Sequence, residues 1–156
     1  MYSRIILQSL LLIAAGLVIA VPGFSQDVSA AGHRTPSAQG ASVGFANLSD
    51  GDVVPAVFTV KFAISGMAIA PAGSQIENTG HHHLLIDVAE LPDMNLPLPA
   101  TDNIRHFGKG QTEVELTLPE GKHTLQLLLA DYAHIPHSPP LMSEKITVTV
   151  KAPDTP

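Results

Sequence analysis

The chain has no cysteine and no tryptophan, and aromatic residues make up only 4% of it. Without a thiolate there is no disulfide, no cysteine-type zinc site and no cysteine nucleophile. Without tryptophan and a disulfide, the usual core pair of an immunoglobulin domain is missing, so a sandwich built from this chain must pack aliphatic side chains. Basic residues are also scarce: 8 Lys+Arg stand against 14 Asp+Glu, for a net charge of −6. That balance argues against nucleic-acid binding, which rests on basic patches. It gives no support to binding an anionic membrane surface either. No Gly-x-Ser-x-Gly elbow occurs, and Gly108-x-Gly110 precedes a strand pattern rather than the helix a phosphate loop requires. No segment of the domain carries a helical period of 3.6.

The one long apolar run lies at the start. Met1–Arg4 is a short positive stretch, Ile5–Val21 is apolar, and Pro22-Gly23-Phe24-Ser25 supplies a break and small residues. This pattern predicts a secretory signal peptide over residues 1–25, with cleavage after Ser25 or after Ala30. The expected location is therefore the periplasm or the exterior of a bacterial cell, with no membrane attachment after cleavage. No cysteine follows the apolar run, which excludes a lipoprotein anchor. Residues 26–39 are small and polar and read as a flexible leader containing His33. Residues 40–151 form the expected domain, with a tail over 152–156.

Within the domain, apolar residues alternate. Phe58, Val60, Phe62 and Ile64 face one way, with Thr59 and Lys61 opposite. Val114, Leu116 and Leu118 repeat the pattern, as do Ile146, Val148 and Val150. A period of two predicts half-buried strands. Strands are expected at Ala41–Asn47, Val57–Ile64, His81–Val88, Thr112–Leu118, His123–Ala130 and Glu144–Lys151, with a short edge strand around Met67–Ala70. Leu91–Thr101 and Asp131–Leu141 each hold three prolines and read as loops. About six or seven short strands predict an all-β, antiparallel, immunoglobulin-like β-sandwich, with a barrel as the alternative.

Seven of the eight histidines fall between His81 and His137. Histidine is the commonest protein ligand for transition metals. On a strand His81 and His83 share one face, roughly 6.6–7 Å apart at Cα, and His82 takes the other. Two imidazoles at that spacing can converge on one ion, which makes His81-x-His83 half a site. His134 and His137 are the leading candidates to complete it, with His106 close behind. Asp131 or Tyr132 could add an oxygen. His123, beside a hairpin turn, reads as a residue packed at the end of the core. Imidazole suits copper, zinc and nickel alike. A nearby thioether would tilt the choice to copper, and Met142, five residues past His137, is the best placed. Copper is the first choice and zinc the second.

Four stretches carry a resemblance to a known family: Gly80–Asp87 (GHHHLLID), His106–Glu113 (HFGKGQTE), Leu118–Leu127 (LPEGKHTLQL) and His134–Val150 (HIPHSPPLMSEKITVTV). Together they resemble the bacterial exported family known as domain of unknown function 4399, over essentially Ala41 to Lys151. The resemblance implies a small exported β-domain and brings no settled activity. Members often carry a further histidine just before the one matching His134, where this chain has Tyr132 and Ala133.

Three functions are compatible with these residues. The first is capture or delivery of a transition-metal ion by an exported His-rich domain. The second is an envelope interaction module whose histidines only pack, with another envelope protein as partner. The third is a small metalloenzyme with the same ligands and an open coordination position. The residues lean away from an enzyme.

Overall fold

The computed structural model describes residues 34–152, and the predicted signal peptide, His33 and the last four residues lie outside them. The described chain is all-β, with ten strands and no helix. In order they are β1 (Ser42–Phe45), β2 (Val53–Pro55), β3 (Val57–Ser65), β4 (Ala68–Ile69), β5 (Thr79–Ile86), β6 (Ile104–His106), β7 (Glu113–Thr117), β8 (Gly121–Ala130), β9 (Pro136–Met142) and β10 (Ile146–Lys151). Among the described residues no helix is long and apolar enough to cross a membrane.

Two sheets form a sandwich. The smaller runs β1-β3-β7 and is antiparallel throughout. The larger runs β2-β10-β8-β5-β4, with β9 also on β8 and β6 also on β5. Two of its pairings, β2 with β10 and β4 with β5, are parallel, and the others are antiparallel as the sequence predicts. Both parallel partners are very short pieces that lie along a longer strand. The expected count of six or seven strands also misses β2, β6 and β9. The first two span three residues each, too few to show a period.

The alternation does what a period of two dictates. Phe58, Val60 and Phe62 of β3 turn inward and meet Leu84 and Ile86 of β5 and Leu125, Leu127 and Leu129 of β8. At about 1.5–3 kcal/mol per fully buried aliphatic side chain, this aliphatic layer can replace the missing tryptophan and disulfide. The larger sheet is covered on its outer face too. Leu85, Ile104, Leu128 and Ala130 form a second small cluster, closed by Leu98 from the proline-rich loop. β5 is therefore buried on both sides, and from Gly80 to Ile86 every residue is buried.

Candidate metal centre

The site grows out of β5 and its two neighbours. β8 pairs with one edge of β5, placing Ala130 opposite His81 and Leu128 opposite His83. β6 pairs with the other edge and places His106 directly across from His83. Directly paired residues share a face, so His81, His83 and His106 stand together on the outer face beside Leu85 and Ile104. His134 reaches the same place from the connection between β8 and β9. Its backbone lies in the left-handed region, with φ of 66°.

That unusual backbone is held by Asp131. The carboxylate Oδ1 accepts hydrogen bonds from Ala133 N at 2.9 Å and Ile135 N at 3.1 Å. The main chain closes the turn, with His134 N donating to Asp131 O at 3.0 Å and Asp131 N donating to Ile135 O at 2.9 Å. An aspartate that captures amides a few residues ahead is the local chemistry of an Asx-type turn.

Four rings thus converge from three separate segments. One ring nitrogen from each of His81, His83, His106 and His134 falls within 4.8 Å of all the others. Their ring centroids lie 4.6–6.1 Å apart. His81 Nε2 is 3.2 Å from His134 Nδ1. Four nitrogens at about 2.0–2.1 Å from one ion sit roughly 3.3–3.4 Å apart in a tetrahedron. The His81–His134 pair matches that spacing, and the other nitrogens would have to draw closer around an ion.

The electrostatics favour ligands ready to bind. Burial pushes His81 down to about 4, helped by the neighbouring His106 and His134 rings and opposed by Asp131. Burial pushes His83 down to about 3, with the other three rings adding to the effect. His106 is also lowered, first by desolvation and then by His134. At neutral pH His81 and His83 are uncharged, with a lone pair on each ring. His81 Nδ1 and His83 Nδ1 are buried and find no hydrogen-bond partner.

The rim is shaped by close backbone. Ala72 N donates to Gly108 O, and Gly73 N donates to Tyr132 O, both at 2.9 Å. This short loop therefore ties the chain after His106 to the chain before His134. A Cβ on Gly108 would overlap the His106 ring and force it to move. His106 is exposed, and beside it an open cleft of about 750 Å³ is lined by Ile104, Arg105, Phe107 and Val114 among others. Of the four clustered histidines, His106 lines this cleft.

The other predicted residues lie elsewhere. His137 is fully buried but is not one of the four. β9 begins at Pro136, which pairs with Ala130 on the outer face, so the next side chain turns to the inner face. There a Cβ on Gly80 would come within 2.9 Å of His137 Nε2. His134 and His137, three apart in sequence, are thus separated by the sheet. Met142 pairs with Leu128, so it shares the row of His83 with Leu128 between them. It packs against the second apolar cluster. His82 faces the core, its ring 5.0 Å from that of Phe62. His123 bonds Asp87 Oδ2 through Nδ1 at 2.7 Å and Pro119 O through Nε2 at 3.0 Å, and the carboxylate raises its pKa. Both oxygens of Asp131 are taken by hydrogen bonds, and Tyr132 is largely exposed. Asp131's structural role was readable in the spacing from Asp131 to Ala133 and Ile135; the importance of Gly108 had no signal in the sequence.

The family model described as "Domain of unknown function (DUF4399)" matches residues 60–151, a stretch that contains all four clustered histidines. No curated protein matches the chain, and no solved structure does.

Proposed function

We propose, starting from the fact that the chain belongs to the domain of unknown function 4399 family, that it binds one transition-metal ion through His81, His83, His106 and His134 and serves to capture or deliver it. The observation that carries this reading is the convergence of four ring nitrogens within 4.8 Å from three distant segments. Histidines that only pack have no need to gather their ring nitrogens in one place. An all-imidazole set suits divalent copper and zinc, and copper stands higher in the affinity order for such ligands. Copper is accordingly the first choice and zinc the second, on ligand chemistry alone. The exposed His106 and the cleft beside it favour an ion that is exchanged. The signal-like start of the sequence supports an exported, periplasmic setting for this traffic.

The test is calorimetric titration of chelator-treated protein with Cu(II) and with Zn(II). Wild type should bind one ion per chain. A saturating ion at about 100 times Kd should add roughly 2.7 kcal/mol to stability. His106→Ala, at an exposed position, should weaken binding while leaving the fold intact. His137→Gln should leave affinity unchanged. Absence of both heat and thermal shift in wild type would end the proposal.

A further inference from the structure

Three of the four rings sit on β-strands, where ladder hydrogen bonds hold them. His134 does not. Its position depends on the turn built by Asp131, a residue only 3% exposed. One oxygen of that carboxylate serves the turn itself, through Ala133 N and Ile135 N. The other is held from outside the turn, by Thr35 Oγ1 at 2.6 Å.

Thr35 belongs to the segment read from sequence as the end of the leader. In the fold this segment lies along the free edge of β9. Pro36 bridges Ser138 in parallel register. Ser138 N donates to Thr35 O at 2.9 Å, and Ser37 N donates to Ser138 O at 3.1 Å. Arg34 Nε donates to Pro136 O at 2.9 Å, and Ser37 Oγ to Pro139 O at 3.1 Å. A second nitrogen of Arg34 reaches His137 O. These contacts seat the segment as an added strand on β9. The Thr35 hydroxyl is its link to the carboxylate beneath His134.

We propose that Thr35 and Asp131 are positioning residues for His134, so that docking of residues 34–37 on β9 sets the affinity of the metal centre. This rests on the metal-binding reading above. With Thr35 in place the carboxylate is fixed at both oxygens, and the turn holds His134 at the ring. With the segment displaced, one oxygen loses its partner, the carboxylate can rotate, and the fourth ligand loosens. A competing strand laid on β9 would act in the same way and favour release of the ion.

The experiment uses the full chain, with Zn(II) as the probe ion. Thr35→Val keeps the branched shape and removes only the hydroxyl. It should weaken binding about tenfold, the usual scale for a group that orients a metal ligand. Thr35→Ser should bind as wild type does. Ser37→Ala, in the same segment but bonded to Pro139, should not change affinity. In a His134→Ala background, Thr35→Val should cost nothing further, because the ligand it positions is gone. Without metal, hydrogen exchange at the Ala133 and Ile135 amides should rise in Thr35→Val. Wild-type affinity in Thr35→Val, or an equal loss in the His134→Ala background, would overturn this inference while leaving the metal site standing. No binding by wild type would end both.

Discussion

His82 offers the cleanest measurement of what burial does to the histidine run. It is fully buried on the inner face of the larger sheet, and neither ring nitrogen has a hydrogen-bond partner. Burial alone holds its pKa at about 4, against an ordinary 6.5. The values for His81 and His83 also depend on neighbouring charged rings, so His82 is the better probe. Because the folded chain resists protonation at this ring, the unfolded chain binds the proton first as pH falls. Stability from keeping His82 neutral is therefore complete above pH 6.5, drains away between 6.5 and 4, and is gone below that. At about 1.4 kcal/mol per pKa unit the loss comes to roughly 3 kcal/mol. His82→Leu places an aliphatic residue of similar volume beside Leu84 and Phe62 and removes the titration. Urea unfolding of the metal-free protein, in chelator, at pH 7.5 and pH 4.5 compares the two chains. The variant should be at least as stable as wild type at pH 7.5, since two unbonded buried nitrogens disappear. It should lose about 2–3 kcal/mol less than wild type on acidification. An equal loss in both chains would refute the argument that burial of this ring governs its protonation.

Two further predictions concern the scaffold. A Cβ at Gly80 would lie 2.6 Å from Ala130 O and 2.9 Å from both Leu129 Cγ and His137 Nε2. Gly80→Ala should therefore lower stability by about 1–3 kcal/mol, the range for overpacking a filled interior, as read from the urea midpoint. The His123–Asp87 pair has the opposite pH sense to His82. The raised pKa of His123 means that its contribution is complete below pH 6.5 and fades as pH climbs through the higher folded value. Asp87 is partly exposed, so screening keeps the effect small, and Asp87→Asn should cost at most about 1 kcal/mol at pH 6 and less at pH 8. In that variant the NMR titration midpoint of His123 should fall; an unchanged midpoint would show that Asp87 is not the cause.

Three of the strands, β3, β7 and β10, were legible because each has one clear face. Their more and less buried positions alternate, and the sequence alternates with them. β9 was hidden by its own composition. Pro136, Pro139 and Pro140 argue against a ladder, and the strand meets β8 at three positions, opposite Leu128, Leu129 and Ala130. A bulge between Leu129 and Ala130 absorbs the mismatch. The docked position of residues 34–37 left no pattern at all, since a polar stretch gains its order here from backbone bonds to a distant edge.

The candidate site was half legible for the same geometric reason. Alternation on one strand is a local rule, so His81 and His83 could be assigned to one face and His82 to the other from spacing alone. Whether His134 or His137 joined them depended on where β9 begins. A strand starting at Pro136 sends its next side chain through to the inner face, and a loop would have left both histidines free to reach the ring. His106 depended on register, because a one-residue slip of β6 against His83 would have turned its ring to the inner face. That register is fixed outside the histidines. Asn103 Nδ2 donates to Ile86 O at 2.7 Å and Phe107 N to His82 O at 3.0 Å, while Ile104 packs beside Leu85 and Leu128. The apolar cluster on the outer face is thus the device that assembles the four rings. It seats β6 in the one register that brings His106 across from His83, and its Leu98 donates to His134 O at 2.9 Å. Weakening that cluster, rather than touching any histidine, is the perturbation that would scatter the ligands.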